Sequence, residues 1–163
     1  HIEGQAFEDL YNAFLDLADK KKEVYDEDLE SLVGEHNRNQ TATYTLKSVQ
    51  ISCGQPLIPT ATVTLADSED REFVACATGT GPVDALYKAV NEIVDIENDL
   101  TEFAVQSVTR GIDALGEVTI RVTDSDGMVF SGRGADGDII VSSAKAYLNA
   151  LNRLISHRQE KAK

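Results

Sequence analysis

The chain has 163 residues, 42% of them hydrophobic and 26% charged, with a formal net charge of −13. That length supports one domain with its own core, or a compact domain with a short helical attachment, and the apolar share is ordinary for a globular protein. The acidic balance repels a phosphate backbone, no apolar run approaches the roughly 20 residues that span a bilayer, and no leader is visible; a cytoplasmic protein is expected, with neither nucleic acid nor membrane as partner.

The two cysteines, Cys53 and Cys76, lie in strand-like apolar runs and are expected to be buried thiols. Neither has a Cys or His at metal-ligand spacing, and His1, His36 and His157 are scattered, so no zinc site is expected.

In chain order, residues 5–22 place Phe7, Leu10, Tyr11, Phe14, Leu15 and Ala18 at helical spacing, and Lys20 to Lys22 close the segment. Asp26 reads as the N-cap of a second helix bearing Leu29, Leu32 and Val33, which makes a helical hairpin. Residues 34–43 are polar and read as a linker. From Tyr44 the pattern turns to strands: 44–46, 49–51, 61–65 and 73–76, with a hairpin turn at Asp67-Ser-Glu-Asp70. A helix follows over 82–95, with Val83, Leu86, Tyr87, Val90, Ile93 and Val94 as its stripe.

The arrangement then recurs. Strand-like runs at 103–108, 116–122 and 128–132 answer those of the first copy. Asp124-Ser-Asp-Gly127 is a second hairpin turn. A helix over 144–155 ends in Ala150-Leu-Asn152-Arg-Leu154, which mirrors Ala89-Val-Asn91-Glu-Ile93. The fold class is therefore α+β: two βββα units packed together, over about 44–98 and 100–158, preceded by a helical connector over 1–40. A sheet covered by one helix leaves its other face apolar, so the two units are expected to bury those faces against each other and to form a pocket at their seam.

The sharpest local signal is Thr78-Gly79-Thr80-Gly81-Pro82-Val83-Asp84, where a strand gives way to a helix. Gly81 suits the N-cap, Pro82 the first helical position and Asp84 the third. Unobstructed N–H groups at a positive helix end would seat a small anion such as a carboxylate. A plain tight turn explains the same glycines. The pattern is neither a dinucleotide fingerprint nor a P-loop, since no third glycine and no Gly-Lys-Ser/Thr follows. The second copy offers Gly132-Arg-Gly134-Ala135-Asp136-Gly137-Asp138-Ile139, read as a Gly-x-Gly at the same strand end with a longer run before its helix. Asp136 and Asp138 could meet a ligand ammonium or stand in a solvated loop. Asp26/Asp28 and Asp124/Asp126 read as a helix cap and a turn. No Ser/His grouping suggests catalysis.

Several long motifs resemble the regulatory C-terminal part of the 2-isopropylmalate synthase family. Leu17-Ala-Asp-Lys-Lys-Lys-Glu-Val-Tyr-Asp-Glu-Asp-Leu29 resembles its helical connector. Thr78-Gly-Thr-Gly-Pro-Val-Asp-Ala-Leu-Tyr-Lys-Ala89 resembles its first glycine motif. Asp113-Ala-Leu-Gly-Glu-Val118, Ser131-Gly-Arg-Gly-Ala-Asp136 and Ser143-Ala-Lys-Ala-Tyr-Leu-Asn-Ala-Leu-Asn152 resemble its second half. The resemblance implies a homodimeric parent that condenses acetyl-CoA with 2-oxoisovalerate in a metal-dependent TIM barrel, inhibited by leucine bound between the two βββα units. The barrel's His-x-His motif is not in this sequence, so neither catalysis nor a cofactor is expected of the chain itself. By position, the implied leucine contacts are Gly79, Thr80, Gly81, Pro82 and Val83, then Leu100 and Phe103, then Ala135, Asp136, Asp138 and Ile139. Many members carry Asp-Tyr where this chain has Glu102-Phe103, which removes a hydroxyl but keeps the apolar wall. Two other readings stay open: an isoleucine-sensing citramalate synthase domain, or a dimerisation module without ligand sensing.

Overall fold

The computed structural model describes residues 5–20, 42–107 and 115–161. Helix α1 (Gln5–Lys20) places Phe7, Tyr11 and Leu15 along one exposed side, the first two rings stacked at 6.3 Å. The helix expected to start at Asp26 and the 34–43 linker fall outside the described residues, apart from Ala42 and Thr43.

Two units follow. The first is β1 (Tyr44–Ser52), β2 (Thr60–Asp67), β3 (Glu72–Thr78) and helix α2 (Pro82–Val94); the second is β4 (Asn98–Ser107), β5 (Gly116–Asp124), β6 (Val129–Asp136) and helix α3 (Ile139–Lys161). Each unit has an antiparallel three-stranded sheet, in the orders β1-β2-β3 and β4-β5-β6. The expected fold class of two βββα units is what the chain adopts. Segments 44–46 and 49–51 are one strand: a bulge between Leu46 and Ser48 breaks the alternation that separated them in sequence. Strand β4 carries a matching bulge between Leu100 and Glu102.

The two hairpin turns are built alike. Asp67 Oδ1 accepts from the N–H groups of Glu69 and Arg71, and Asp124 Oδ1 from those of Asp126 and Met128. A short carboxylate that replaces the missing turn bonds is the reason aspartate opens both hairpins. It also fixes the equivalence of the repeats: Asp67 answers Asp124, so Ala75 answers Gly132 and Ala77 answers Gly134.

The central strands alternate, with Ala66 at the end of β2 the exception. Ala61, Val63 and Leu65 of β2 and Val118, Ile120 and Val122 of β5 are fully buried, while the residues between them are not. They meet Ala85, Leu86, Ala89 and Val90 of α2 and Ala146, Tyr147, Ala150, Leu151 and Leu154 of α3 in one core. Removing each large aliphatic side chain from water is worth about 1.5–3 kcal/mol.

The units join by their helical sides, not by bare sheet faces as the sequence suggested. Each helix covers its own sheet, the helices touch, and α3 also contacts β1 of the other unit. The Tyr87 and Tyr147 rings lie 4.3 Å apart across this seam. The outer face of the first sheet shows why it needs no cover: its register sets Ser48 beside Thr64 and Gln50 beside Thr62, polar side chains that tolerate water. The cysteines correct a second expectation. Both are exposed. Cys53 follows the end of β1, and Cys76 falls on the outward half of β3, whose inward half is Phe73, Ala75 and Ala77.

Helix α3 starts five residues before the expected position. Asp138 caps it, with Oδ1 accepting from the Ile140 N–H at 2.8 Å. Ser142 and Ser143 are tolerated in its first turns because their hydroxyls donate to carbonyls, those of Gly116 and Ile139 respectively. The motif Ala89-Val-Asn91 recurs as Ala150-Leu-Asn152, so α3 holds four more residues before it than α2 does. One extra turn leaves the inward face unchanged.

Candidate functional site

The start of α2 has the expected geometry. Gly81 is the N-cap with extended backbone, Pro82 opens the helix, and Asp84 lies in the first turn. Asp84 Oδ2 accepts from the Thr80 N–H at 2.8 Å, from the Thr80 hydroxyl at 3.3 Å and from Lys88 Nζ at 2.9 Å. The Thr80 N–H and then the Lys88 ammonium hold the carboxyl below its ordinary value of 3.8. The chain's own carboxylate thus takes one donor of this helix end. Among the described residues, the N–H groups of Gly81, Val83 and Asp84 donate to no partner.

The two glycines do different work. A Cβ on Gly79 would collide with the backbone nitrogen of Ala85 and come within 2.8 Å of Asp84 Oδ2, so the helix can start here only over a glycine. A Cβ on Gly81 would meet nothing within 4 Å. Its φ of −154° is one any residue adopts, so no strain holds it as glycine.

An open apolar strip runs along β4. Leu100, Phe103 and Val105 of β4 pair with Val122, Ile120 and Val118, which point inward and are fully buried. The three β4 residues keep 41%, 42% and 51% of their surface exposed. Phe103 meets the edge of Tyr87 on α2 at 6.5 Å. Helix α2 therefore touches the strip through Tyr87, and Val83 in its first turn packs on the core.

The second loop is occupied locally. Asp136 Oδ1 accepts from the Asp138 N–H at 3.0 Å and Oδ2 pairs with Lys145 at 3.1 Å, while Asp138 caps α3. Ile139 is half exposed, and its Cδ1 sits over Gly116. No described hydrogen bond or ion pair links residues 135–139 to the 79–83 loop.

The duplicated Gly-x-Gly does not survive. Gly79 and Gly81 lie beyond β3, whereas Gly132 and Gly134 lie inside β6, where Ala75 and Ala77 stand in the first unit. A Cβ on Gly132 would strike Ala146 O and approach Ala150 N at 2.5 Å; one on Gly134 would strike Ser142 O and approach Ala146 N at 2.6 Å. These glycines let α3 lie directly on β6. The longer run before the helix was a strand end, not a longer loop.

The sequence reading missed a polar cluster at the seam. Tyr147 Oη lies 2.8 Å from Oδ1 of both Asn91 and Asn98. Asn152 brackets Tyr44, accepting from its N–H at 2.9 Å and donating to its carbonyl at 2.8 Å. Asparagine at the same place in both helix motifs was the available signal. The Tyr87 hydroxyl is buried and, among the described residues, has no partner. Burial first, and Tyr147 second, push its proton affinity up.

A groove of about 640 Å³ also opens between β3 and α2, lined by Cys76, Ala77 and Thr78 on one side and Lys88, Asn91, Glu92 and Asp95 on the other. Among the described residues, no cluster of His, Cys, Asp and Glu could hold a metal ion, and no helix is long and apolar enough to cross a membrane.

Residues 23–155 match the family described as the LeuA allosteric (dimerisation) domain. Proteins named 2-isopropylmalate synthase are similar along nearly the whole chain. That of Olsenella uli is 57% identical over 155 residues, 95% of this chain and 30% of the relative. Those of Gloeobacter violaceus and Crocosphaera subtropica are 56% and 52% identical, covering 90% and 95% of this chain and 28% and 29% of theirs. The chain thus spans under a third of the length of these relatives.

Proposed function

The chain belongs to the LeuA allosteric (dimerisation) domain family, and from that premise we propose that it is the leucine-sensing regulatory part of a cytoplasmic, homodimeric 2-isopropylmalate synthase. Its whole parent would join acetyl-CoA to 2-oxoisovalerate on a metal-dependent barrel in the same polypeptide. Residues 1–40 would be the connector and 41–163 the sensor. One observation carries this reading: helix α2 has unengaged N–H groups at its N-terminus and, through Tyr87, touches an apolar strip that faces inward and yet stays open.

An amino acid with a branched apolar side chain fits both halves. Its carboxylate takes the N–H groups of Gly81, Val83 and Asp84, favoured by the helix dipole. Its side chain covers Val83, Leu100, Phe103 and Ile139. Its ammonium takes carbonyls or the Asp136 carboxylate of the 135–138 loop. Since Thr80 already serves Asp84, the carboxylate binds further into the helix end than the sequence alone implied.

Calorimetry with leucine and with Gly81→Ala tests it. The added methyl is tolerated by the fold, because the site around Gly81 is open, and it crowds the carboxylate seat. Affinity for leucine is expected to fall at least tenfold, about 1.4 kcal/mol. Equal affinity in both forms removes the 79–83 loop from the site. No heat with leucine and tight binding of isoleucine would assign the domain to a citramalate synthase instead.

A further inference from the structure

We propose that the Tyr87 hydroxyl is a further ligand contact: it donates to the carboxylate of the bound amino acid, beside the N–H groups at the start of α2. The inference rests on reading the chain as an amino-acid sensor and adds a side chain that selects for the carboxylate. It starts from a mismatch in the core. Tyr87 keeps only 7% of its surface exposed, and its hydroxyl is buried without a partner among the described residues. A buried polar group left unmatched is unfavourable, and phenylalanine would fill the same space without it.

The neighbouring ring shows how a hydroxyl is satisfied at this seam. Tyr147 lies 4.3 Å from Tyr87 between ring centroids, and its Oη is 2.8 Å from Oδ1 of both Asn91 and Asn98. Asn98 Nδ2 donates to Asn91 Oδ1 and to the Ile96 carbonyl. Tyr87 Oη bonds to none of this cluster, which stands about one turn beyond it toward the C-terminal end of α2. A helical side chain leans back toward the helix N-terminus, so the Tyr87 ring lies over the turn that carries Val83. On its way it meets the edge of Phe103 at 6.5 Å. Tyr87 thus links the two halves of the proposed site: it rises from the helix with the unengaged N–H groups and touches the strip that takes the aliphatic group.

An anion is the partner that suits this hydroxyl. Burial raises its proton affinity, so it remains a donor at neutral pH. A hydroxyl that donates to a carboxylate makes a bond roughly twice as strong as a neutral one. Val83 and Tyr87 share a helix face, so a carboxylate on the N–H groups of Val83 and Asp84 sits about one turn, or 5.4 Å, along the axis from the Tyr87 backbone, on the side to which the ring leans. The nearest lysine of the helix does not compete, because Lys88 is paired with Asp84 at 2.9 Å. In the free chain the hydroxyl is covered, and Phe103, which is 42% exposed, is the neighbour free to turn aside. A group unmatched in the free chain and matched in the complex strengthens binding twice, by removing a defect and by adding a bond.

The test makes two measurements on the whole chain and on its Tyr87→Phe form. Urea unfolding without ligand is expected to find the variant no less stable than the wild type, since it loses only an unmatched hydroxyl. Calorimetry with leucine is expected to find its affinity lowered at least about tenfold, the loss of one charge-assisted bond. A tyrosine that only fills the core cannot give that pair of results. Tyr147→Phe is the control: it removes a satisfied hydroxyl, lowers stability, and is expected to leave leucine affinity unchanged. A spectroscopic readout is independent of both. The leucine-induced near-ultraviolet difference spectrum of the wild type is expected to carry a tyrosine band that Tyr87→Phe lacks. Equal leucine affinity in wild type and Tyr87→Phe overturns this contact and leaves the sensor standing. Loss of stability together with affinity assigns the hydroxyl a structural role and also overturns it. A wild-type chain that binds neither leucine nor isoleucine overturns the sensor reading, and this contact with it. One that binds isoleucine alone is compared with Tyr87→Phe on that ligand, because the carboxylate is common to both.

Discussion

The two repeats share a turn, a strand register and a helix motif, yet they hold their helices by different means. In the second unit Gly132 and Gly134 bring the backbones of β6 and α3 into direct contact, and Lys145 and Asn149 reach from the helix to the carbonyls of the strand. In the first unit Ala75 and Ala77 stand at the glycine positions. By the shared helix motif, Asp84 and Lys88 stand where α3 has Lys145 and Asn149, and they pair with each other at 2.9 Å. The first helix therefore turns its polar groups to its own N-terminus and leaves the strand edge and a groove open. The second spends the same positions on closing its edge. One duplicated plan thus yields a closed half and an open half, and the proposed carboxylate seat falls on the open one.

The largest way to break this comparison is to give the closed half a first-unit residue. Gly132→Ala puts a methyl into the Ala146 carbonyl and within 2.5 Å of the Ala150 nitrogen, both helix backbone. Backbone cannot rotate aside, so the cost is expected at the upper end of overpacking, about 3 kcal/mol. The reciprocal change Ala75→Gly removes a methyl from a strand that already accommodates it and should cost about 1 kcal/mol. Urea unfolding measures both. Equal losses would mean that the repeats grip their helices alike.

A smaller effect of opposite sign sharpens the seam. The Tyr147 hydroxyl has Asn91 and Asn98 as partners, whereas the equally buried Tyr87 hydroxyl has none among the described residues. Tyr87→Phe is expected to stabilise the fold by about 1 kcal/mol, and Tyr147→Phe to destabilise it by about as much. A loss of stability from Tyr87→Phe would show that its hydroxyl is satisfied in solution.

Much of this contrast was written in the sequence, but not in a form that one dimension could sort. Period-two alternation identified β2 and β5, and the aspartates at 67 and 124 identified both turns, because those signals are local. The Gly81-Pro82-Asp84 start of α2 was legible for the same reason. Gly132 and Gly134 were misread because a glycine that starts a helix and a glycine that admits one look alike until the partner backbone is placed. Cys76 failed differently: an edge strand has an outward half even where its residues are all apolar. The start of α3 was hidden by Ser142 and Ser143, whose hydroxyls find carbonyls only once the helix exists. In the candidate site, the helix end could be read from residue types. The openness of Leu100 and Phe103 could not, because it depends on which part of β4 the assembled fold leaves uncovered.

The smallest expected effect concerns Asp84, whose place in the second helix is taken by a lysine. Its folded proton affinity is lowered by the Thr80 N–H first and by Lys88 second. For a carboxylate lowered on folding, the unfolded chain binds its proton more readily. The stabilisation is therefore present above the ordinary value of 3.8 and is lost as the pH falls through the lower folded value. Protonation also releases the Thr80 N–H, so the amide resonance of Thr80 is expected to shift with a midpoint below that ordinary value. Asp84→Asn keeps a carbonyl in reach of the amide but cannot titrate, and it should abolish the inflection. The Thr80 amide is the reporter of choice because it belongs to the loop that seats the proposed carboxylate. If Asp84 releases it in acid, the helix end gains a donor, and leucine affinity measured just below the inflection should rise relative to the Asp84→Asn chain. A Thr80 amide that titrates at or above the ordinary carboxylate value would show that Asp84 does not hold this helix end, and that the two repeats open their helices in the same way.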